Sequence, residues 1–121
     1  MSYDDNNIFA KILRGEIPCK KIYEDDFVLS FHDINPQKKI HALVIPKGKY
    51  IDLDDFGQNA SSEEMVGLLK GINTVAKKLQ ISVDTGKGYR ALTNISDYGG
   101  QEVPHLHFHL FGGEKVGKMV S

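Results

Sequence analysis

Three histidines alternate with apolar residues in one segment, His105-Leu106-His107-Phe108-His109-Leu110-Phe111. Because successive side chains of a β-strand point to opposite faces, we expect the three imidazoles on one face of a sheet. Leu106, Phe108 and Leu110 then lie on the opposite face. The segment therefore predicts a strand with one face for chemistry and the other for the hydrophobic core.

The rest of the sequence predicts four further strands and two helices. Helical spacing of apolar residues predicts a short helix over Ile8–Leu13 and an amphipathic helix over Ser61–Gln80. Ser61 and Glu64 form a capping-box signature at the start of the second helix. Most connections are too short for a crossover helix, so we expect an α+β fold with a five-stranded, mainly antiparallel sheet. The other predicted strands are Lys21–Tyr23, Phe27–Phe31, His41–Ile45 and Tyr89–Ile95.

Two glycines interrupt the long helix, at Gly67 and Gly71. Each costs a helix about 1 kcal/mol relative to alanine. Either a partner backbone approaches the helix closely at these positions, or the glycines are simply tolerated.

Composition limits the class of protein. The chain has 121 residues, 40% of them hydrophobic and 26% charged, and we expect one folded domain over residues 1–121. Its 15 basic and 16 acidic residues give a net charge of −1, which argues against a nucleic-acid partner. The single cysteine, Cys19, excludes an intramolecular disulfide and a cysteine-rich zinc site.

The N-terminus and the apolar runs favour a cytoplasmic, soluble protein. Residues 1–7 are polar and acidic, unlike a secretory signal or a transit peptide. The best apolar run, Ala42–Ile45, is far too short to cross a bilayer, so we expect no membrane partner.

Two chemistries fit the alternating histidines. Neutral imidazoles can bind zinc, with His41 or Glu102 as a further ligand. Alternatively, a neutral histidine can attack phosphorus as a nucleophile, which requires no metal. The segment Gly99-Gly100-Gln101 favours the second chemistry, since glycines let backbone N–H groups approach a phosphate, although glycines also simply form turns.

The alternating segment resembles the motif of the histidine-triad family. It is similar to the branch of nucleotide-binding proteins that act as purine nucleoside phosphoramidases. Further stretches of this sequence fall in the order expected for that branch: Ile8–Ile12, Gly15–Pro18, Tyr23–Asp26, Phe31–Gln37, His41–Lys47, Gly88–Arg90 and Gly112–Gly113.

The resemblance implies hydrolysis of purine nucleoside 5′-phosphoramidates through a covalent nucleotidyl-histidine. In that scheme His107 is the nucleophile on the α-phosphorus, and His109 contacts the phosphate and assists proton movement. His105 and His41 orient the nucleophile. The resemblance implies no cofactor and no metal, and a homodimer whose subunits share one continuous ten-stranded sheet.

The resemblance also implies a nucleotide-binding set. Asp33 accepts hydrogen bonds from the ribose hydroxyls, and Ile34 contacts the base, with Phe9, Phe31 and Leu43 as weaker candidates. The phosphate is surrounded by Asn94, Gly100, Gln101 and Glu102. Many family members carry a small hydroxyl residue where this chain has Glu102, so the leaving-group preference is open. Two alternatives stay open: a zinc-dependent hydrolase, and a nucleotide-binding interaction module with weak catalysis.

Overall fold

The computed structural model describes residues 2–120. Their backbone forms one five-stranded sheet with the strand order β1-β2-β3-β5-β4, in which all neighbouring strands are antiparallel. The α+β class and the antiparallel sheet expected from the sequence are confirmed. The elements are α1 (Ile8–Leu13), β1 (Lys21–Glu24), β2 (Val28–His32), β3 (Ile40–Pro46), α2 (Leu53–Asn59), α3 (Ser62–Lys78), β4 (Arg90–Leu92) and β5 (Phe108–Gly112).

Each face of the sheet carries its own hydrophobic cluster. The larger cluster packs α3 against one face, where β3 contributes Ala42 and Val44. The smaller cluster lies on the other face, where β3 contributes Leu43 and Ile45 beneath Phe9 of α1. Because α1 has only six residues, it covers only part of its face. The uncovered part is available for a site.

The two glycines of α3 allow the helix to approach the start of β2. A Cβ atom added at Gly67 would lie 2.5 Å from Cγ of Phe27, and one added at Gly71 would lie 2.7 Å from Cγ2 of Val28. The close approach therefore involves side chains of the same chain rather than a partner backbone. This packing offsets the helix cost of the glycines.

The structure contains a helix that the sequence did not predict. Helix α2 is a seven-residue helix capped by Asp52, and only Phe56 of its residues is buried. A single buried residue produces no helical period, so the pattern gave no signal. The expected capping box of α3, in contrast, is present at Ser61 and Glu64.

The last two strands are shorter than predicted, yet the alternation of side chains holds. The N–H of Leu106 donates to the Tyr50 carbonyl, at 2.8 Å, rather than to a neighbouring strand. Leu106 and Leu110 lie in the cluster beside α3, whereas the histidine rings lie on the α1 face. None of the helices within residues 2–120 is long and apolar enough to cross a membrane.

Candidate active site

A cleft of about 480 Å³ opens on the α1 face of the sheet. All but two of the predicted site residues line it. The members predicted from the sequence are Asp33, His41, Asn94, Gly100, Gln101, Glu102, His107 and His109. The fold therefore brings together residues from five separate stretches of the chain.

The two exceptions, His105 and Ile34, are placed differently. His105 is fully buried behind the cleft, with 0% of its surface exposed. Ile34 is 84% exposed and does not line the cleft, because it lies in an irregular loop after β2 whose direction no hydrophobic period fixes. Phe9 and Leu43 do line the cleft, whereas Phe31 lies only in the smaller core cluster.

Hydrogen bonds to backbone carbonyls fix the protons of His105 and His107. Nδ1 of His107 lies 2.7 Å from the carbonyl oxygen of His105. Nε2 of His105 lies 2.9 Å from the carbonyl oxygen of Pro46. A carbonyl oxygen only accepts hydrogen bonds, so both of these ring nitrogens carry the proton.

The remaining nitrogen of His107, Nε2, therefore carries a lone pair. It has no hydrogen-bond partner among residues 2–120, and none of these residues has a fully buried side-chain nitrogen or oxygen without a partner. Nε2 of His107 is thus accessible from the cleft. Phe9 packs edge-on against the ring, with 4.9 Å between the ring centroids.

A hydrogen bond between the rings of His41 and His109 determines which nitrogens of the two rings carry the protons. The N–H of Gln37 donates to Nδ1 of His41 at 3.1 Å, so Nε2 of His41 carries the proton. That nitrogen lies 2.9 Å from Nδ1 of His109 and 3.4 Å from Oδ2 of Asp33. His109 therefore accepts at Nδ1 and carries its own proton on Nε2, which is free to donate into the cleft.

Burial keeps the imidazoles neutral at pH 7. Burial, with a smaller effect of the neighbouring His107 and His41 rings, lowers the pKa of His109 to about 4. Burial also lowers the pKa of His105 to about 4. The pKa values of His107 and His41 are lowered by burial as well, against the opposing charge of Asp33. The uncharged form that a nucleophile requires is thus the stable one.

Known proteins share this fold and much of this sequence. A family model described as the HIT domain matches residues 14–116. The chain belongs to the HIT family. A HIT-like protein of Azospirillum brasilense is 50% identical over 120 residues, which cover 99% of this chain and 96% of the relative.

Two further HIT relatives carry names that describe an activity. The purine nucleoside phosphoramidase of Escherichia coli is 38% identical over 117 residues, covering 97% of this chain and 95% of the relative. A solved structure of a HIT family hydrolase from Clostridium thermocellum matches with a TM-score of 0.85 and 37% identity, covering 98% of this chain and 99% of that one. The family resemblance read from the sequence is confirmed.

In this HIT protein the glycine loop uses its own backbone donors. The N–H of Gly100 donates to the Asp97 carbonyl and that of Gln101 to the Ser96 carbonyl, both at 3.0 Å. The expectation of free N–H donors for a phosphate is therefore wrong at these two positions, because the turn consumes them. A Cβ at Gly99 would lie 2.4 Å from the Ile95 carbonyl oxygen, which is why the turn needs a glycine there.

The side-chain amide of Gln101 is also used in hydrogen bonds within the protein. Its Nε2 donates to the carbonyls of Ile51, at 2.7 Å, and Val103, at 3.0 Å, while its Oε1 accepts from the N–H of Ser96. Asn94 donates to the Gly99 carbonyl at 2.5 Å. These bonds hold the loop against the cleft and use both side-chain N–H groups of Gln101 and one of the two of Asn94.

The cleft of the HIT protein is poor in positive charge. Asp33 and Glu102 line it, and no lysine or arginine among residues 2–120 does. Ligand atoms of Asp33, His41 and His109 lie within 4.8 Å of one another, so these three could hold a metal ion. His107 and Glu102 are not part of that cluster.

Sequence reasoning missed the residues that orient the histidines through the backbone. The Thr93 hydroxyl donates to the His107 carbonyl at 2.7 Å, and the Gln37 N–H fixes His41. Tyr3, whose hydroxyl contacts His105, was also missed. None of the three belongs to a recognisable pattern, because each acts through a fold contact between distant segments.

Proposed function

We propose that the protein is a hydrolase that cleaves purine nucleoside 5′-phosphoramidates through a nucleotidyl group carried on His107. The observation that carries this proposal is the accessible lone pair on Nε2 of His107, opposite a proton fixed on Nδ1 by the His105 carbonyl. The similarity to a purine nucleoside phosphoramidase supports the substrate class.

In the first step, Nε2 of His107 attacks the α-phosphorus and forms a P–N bond. The bond between phosphorus and the substrate amine breaks, and the amine leaves with the electron pair and a proton from water; the hydroxide this leaves is neutralised by the proton released in the second step. The His107 ring becomes cationic, and its Nδ1–H bond to the His105 carbonyl strengthens as the charge develops. Nε2–H of His109 donates a hydrogen bond to the phosphate or to the leaving nitrogen.

In the second step, water attacks phosphorus and releases the nucleotide. The P–N bond to His107 breaks, its electron pair returns to Nε2, and the proton of the attacking water goes to solvent. The sum is a phosphoramidate and water giving a nucleoside monophosphate and an amine. As written, neither step requires a metal ion or a cofactor.

The remaining site residues are proposed to bind the nucleotide. Asp33 accepts from the ribose hydroxyls, since its carboxylate retains free lone pairs beside the N–H of Asn35, which donates to Oδ1 at 2.8 Å. Phe9 is proposed to contact the base, and Ile34 would do so only if its loop turned inward. Asn94, Gly100, Gln101 and Glu102 are proposed to enclose the phosphate and the leaving group, with Gly100 leaving space where a side chain would intrude.

The second copy of this chain is the proposed partner. Strand β4 is the last strand of the sheet, and its outer edge has no strand partner within residues 2–120. Such an edge favours pairing with another strand, so two subunits would form a continuous ten-stranded sheet. Light scattering of the purified protein should give twice the 13.5 kDa chain mass. A monomer at all concentrations would contradict this proposal.

The test of the reaction is direct detection of the adduct. The protein is mixed with adenosine 5′-phosphoramidate, quenched within milliseconds and analysed by intact mass and peptide mapping. We expect one adenylyl group on His107. The exposed His32 provides a matched control, since H32A should retain the adduct and H107A should lose it. Turnover without any adduct in a slowed variant would contradict the covalent mechanism.

A metal-dependent hydrolase is the second candidate, because Asp33, His41 and His109 converge. Exhaustive chelation distinguishes the two candidates. The covalent mechanism retains its activity after chelation, whereas a metal-dependent one loses it and regains it when zinc is restored.

A further inference from the structure

Tyr3 lies ahead of the residues that match the HIT domain, yet it contacts the site. Its hydroxyl oxygen lies 2.5 Å from Nδ1 of His105, and the two rings meet edge to face with 5.6 Å between centroids. The family match begins at residue 14. The contact is therefore a feature of this chain's N-terminal segment.

The direction of this hydrogen bond follows from the partners of His105. Nε2 of His105 must donate to the Pro46 carbonyl, so Nδ1 carries a lone pair and the Tyr3 hydroxyl is the donor. Burial raises the pKa of Tyr3, which keeps the hydroxyl protonated. Tyr3 is the only residue within 2–120 that contacts Nδ1 of His105 by a hydrogen bond.

The N-terminal segment holds Tyr3 in place by contacts of its own. The Arg14 guanidinium donates to the Asp5 carbonyl at 2.9 Å, and Lys49 pairs with the Asp5 carboxylate at 2.8 Å. The Asn7 side chain donates to the Asp4 carbonyl at 2.7 Å. The segment is thus tied both to itself and to the loop after β3.

We propose that Tyr3 is a positioning residue for the nucleophile. Its hydroxyl donates to Nδ1 of His105 and so holds the ring in the orientation in which Nε2–H reaches the Pro46 carbonyl, while the main-chain carbonyl of His105 accepts the Nδ1 proton of His107. Its effect on the rate rests on the function proposed above, whereas its effect on the orientation of the His105 ring does not.

Removing the hydroxyl would leave a buried acceptor without a donor. His105 could then turn its ring towards another donor, and that turn would break the bond from Nε2–H to the Pro46 carbonyl. A turned ring would displace the main chain of His105, and its carbonyl would then hold the Nδ1 proton of His107 less well. Nε2 of His107 would face the cleft with a lone pair for a smaller fraction of the time.

The first measurement is the hydrogen bonding of the His105 ring, read from the ¹⁵N and ¹H shifts of the histidine side chains. Wild type is expected to show His105 protonated on Nε2 alone, with that proton in a hydrogen bond. Y3F should weaken this bond, which shifts the Nε2–H proton signal upfield and speeds its exchange with water, whereas fluorotyrosine at this position keeps the hydroxyl and should give the wild-type signal. Y23F is the matched control, since it removes a hydroxyl that donates to Asp25 at 2.8 Å, away from the site.

The second measurement is the rate of adenylyl transfer to His107 from adenosine 5′-phosphoramidate in a single turnover. We expect Y3F to lower this rate about tenfold while changing KM less than about twofold, because ground-state binding is not affected. Y23F should leave both values unchanged.

The outcomes separate this inference from the proposed function. An unchanged Nε2–H signal of His105 in Y3F would overturn the inference, as would a changed signal with an unchanged transfer rate. If wild type forms no adduct, the proposed function fails, and the NMR result alone then decides whether Tyr3 holds the His105 ring. Circular dichroism of Y3F confirms the fold first, and the fluorotyrosine protein supplies the comparison if Y3F does not fold.

Discussion

The four histidines around the cleft form two pairs that are held in different ways. The carbonyl-fixed pair, His105 and His107, donates to main-chain oxygens at 2.9 and 2.7 Å. The imidazole-fixed pair, His41 and His109, shares one hydrogen bond of 2.9 Å between two rings. A carbonyl cannot donate, so it fixes each ring of the first pair directly. In the second pair the Gln37 N–H fixes His41, and His109 takes its tautomer from His41. The proposed nucleophile, His107, thus depends on the main chain for its tautomer, whereas His109 depends on another side chain.

The largest expected effect follows from removing one ring from each pair. H107A should lower the single-turnover rate of adenylyl transfer about 10⁴-fold or more, since no other nucleophile is held in place. H109A should lower it about 10²- to 10³-fold, the usual loss when one hydrogen-bond donor to a developing charge is removed. Rapid-quench kinetics measures both rates. Equal losses in the two variants would contradict the division of roles between the pairs.

The next effect concerns Asp33, the carboxylate beside the imidazole-fixed pair. Asp33 is proposed to accept a hydrogen bond from each ribose hydroxyl, so its replacement removes both hydrogen bonds at once. D33A should therefore weaken binding of adenosine monophosphate about 10- to 100-fold. Binding of the 2′-deoxy analogue should weaken much less. Titration calorimetry with the two nucleotides measures the difference.

Asp33 also lies 3.4 Å from Nε2 of His41, so its loss has a second possible consequence. The closer partner of that nitrogen is His109, and we therefore expect the imidazole-fixed pair to persist in D33A. Equal weakening for both nucleotides would mean that Asp33 acts on the histidines and not on the ribose.

The sequence predicted the elements whose pattern repeats. Alternation placed His107 and His109 on one face and Leu106 and Leu110 on the other, and the 3.6-residue period of α3 located the helix to within two residues at its C-terminal end. It could not predict the tautomers, because the groups that fix them, such as the Pro46 carbonyl, belong to the main chain of distant segments.

The same reasoning explains which predictions failed. Helix α2 has one buried residue and no period, and Ile34 lies in a loop where neither pattern applies. The N–H groups of Gly100 and Gln101 were counted as free, whereas the turn they form uses them. Glycine content predicts where a chain turns but not which of its donors remain available.

The third prediction concerns the pH dependence of stability. The pKa of His109 is lowered from 6.5 to about 4 in the folded protein, so between these values the unfolded chain binds more protons than the folded one. The free energy of unfolding should therefore fall as the pH falls from about 6.5 to 4. The slope is proportional to the difference in bound protons between the unfolded and the folded chain, and each histidine with a lowered pKa adds up to about one proton to that difference. Urea unfolding at several pH values measures the slope.

His109 and His105 are expected to contribute in the same direction, since burial lowers the pKa of both to about 4. H109Q should remove up to about one proton from the number taken up on unfolding, which lowers the slope accordingly. The part of the slope that is due to His105 should remain. A wild-type free energy of unfolding that is constant between pH 6.5 and 4 would show that neither pair resists protonation.

The smallest expected effect concerns Glu102, which lines the cleft near the carbonyl-fixed pair. Its negative charge opposes the lowering of the His107 pKa by burial. It would face the phosphate of the proposed substrate in a cleft that no lysine or arginine of residues 2–120 lines. A carboxylate in that position favours a leaving amine that carries a second positive charge and disfavours one that carries a carboxylate. Because Glu102 is exposed, solvent and salt weaken both effects.

We therefore expect E102Q to lower kcat/KM for an adenosine phosphoramidate of a diamine about two- to fivefold and to raise it similarly for one of an amino acid. The change should disappear in about 1 M salt, where the screening length is only about 3 Å. E63Q is the matched control, since Glu63 lies at the start of α3, on the other side of the sheet. If E102Q changes kcat/KM for both substrates by the same factor, Glu102 affects His107 itself rather than the choice of leaving group.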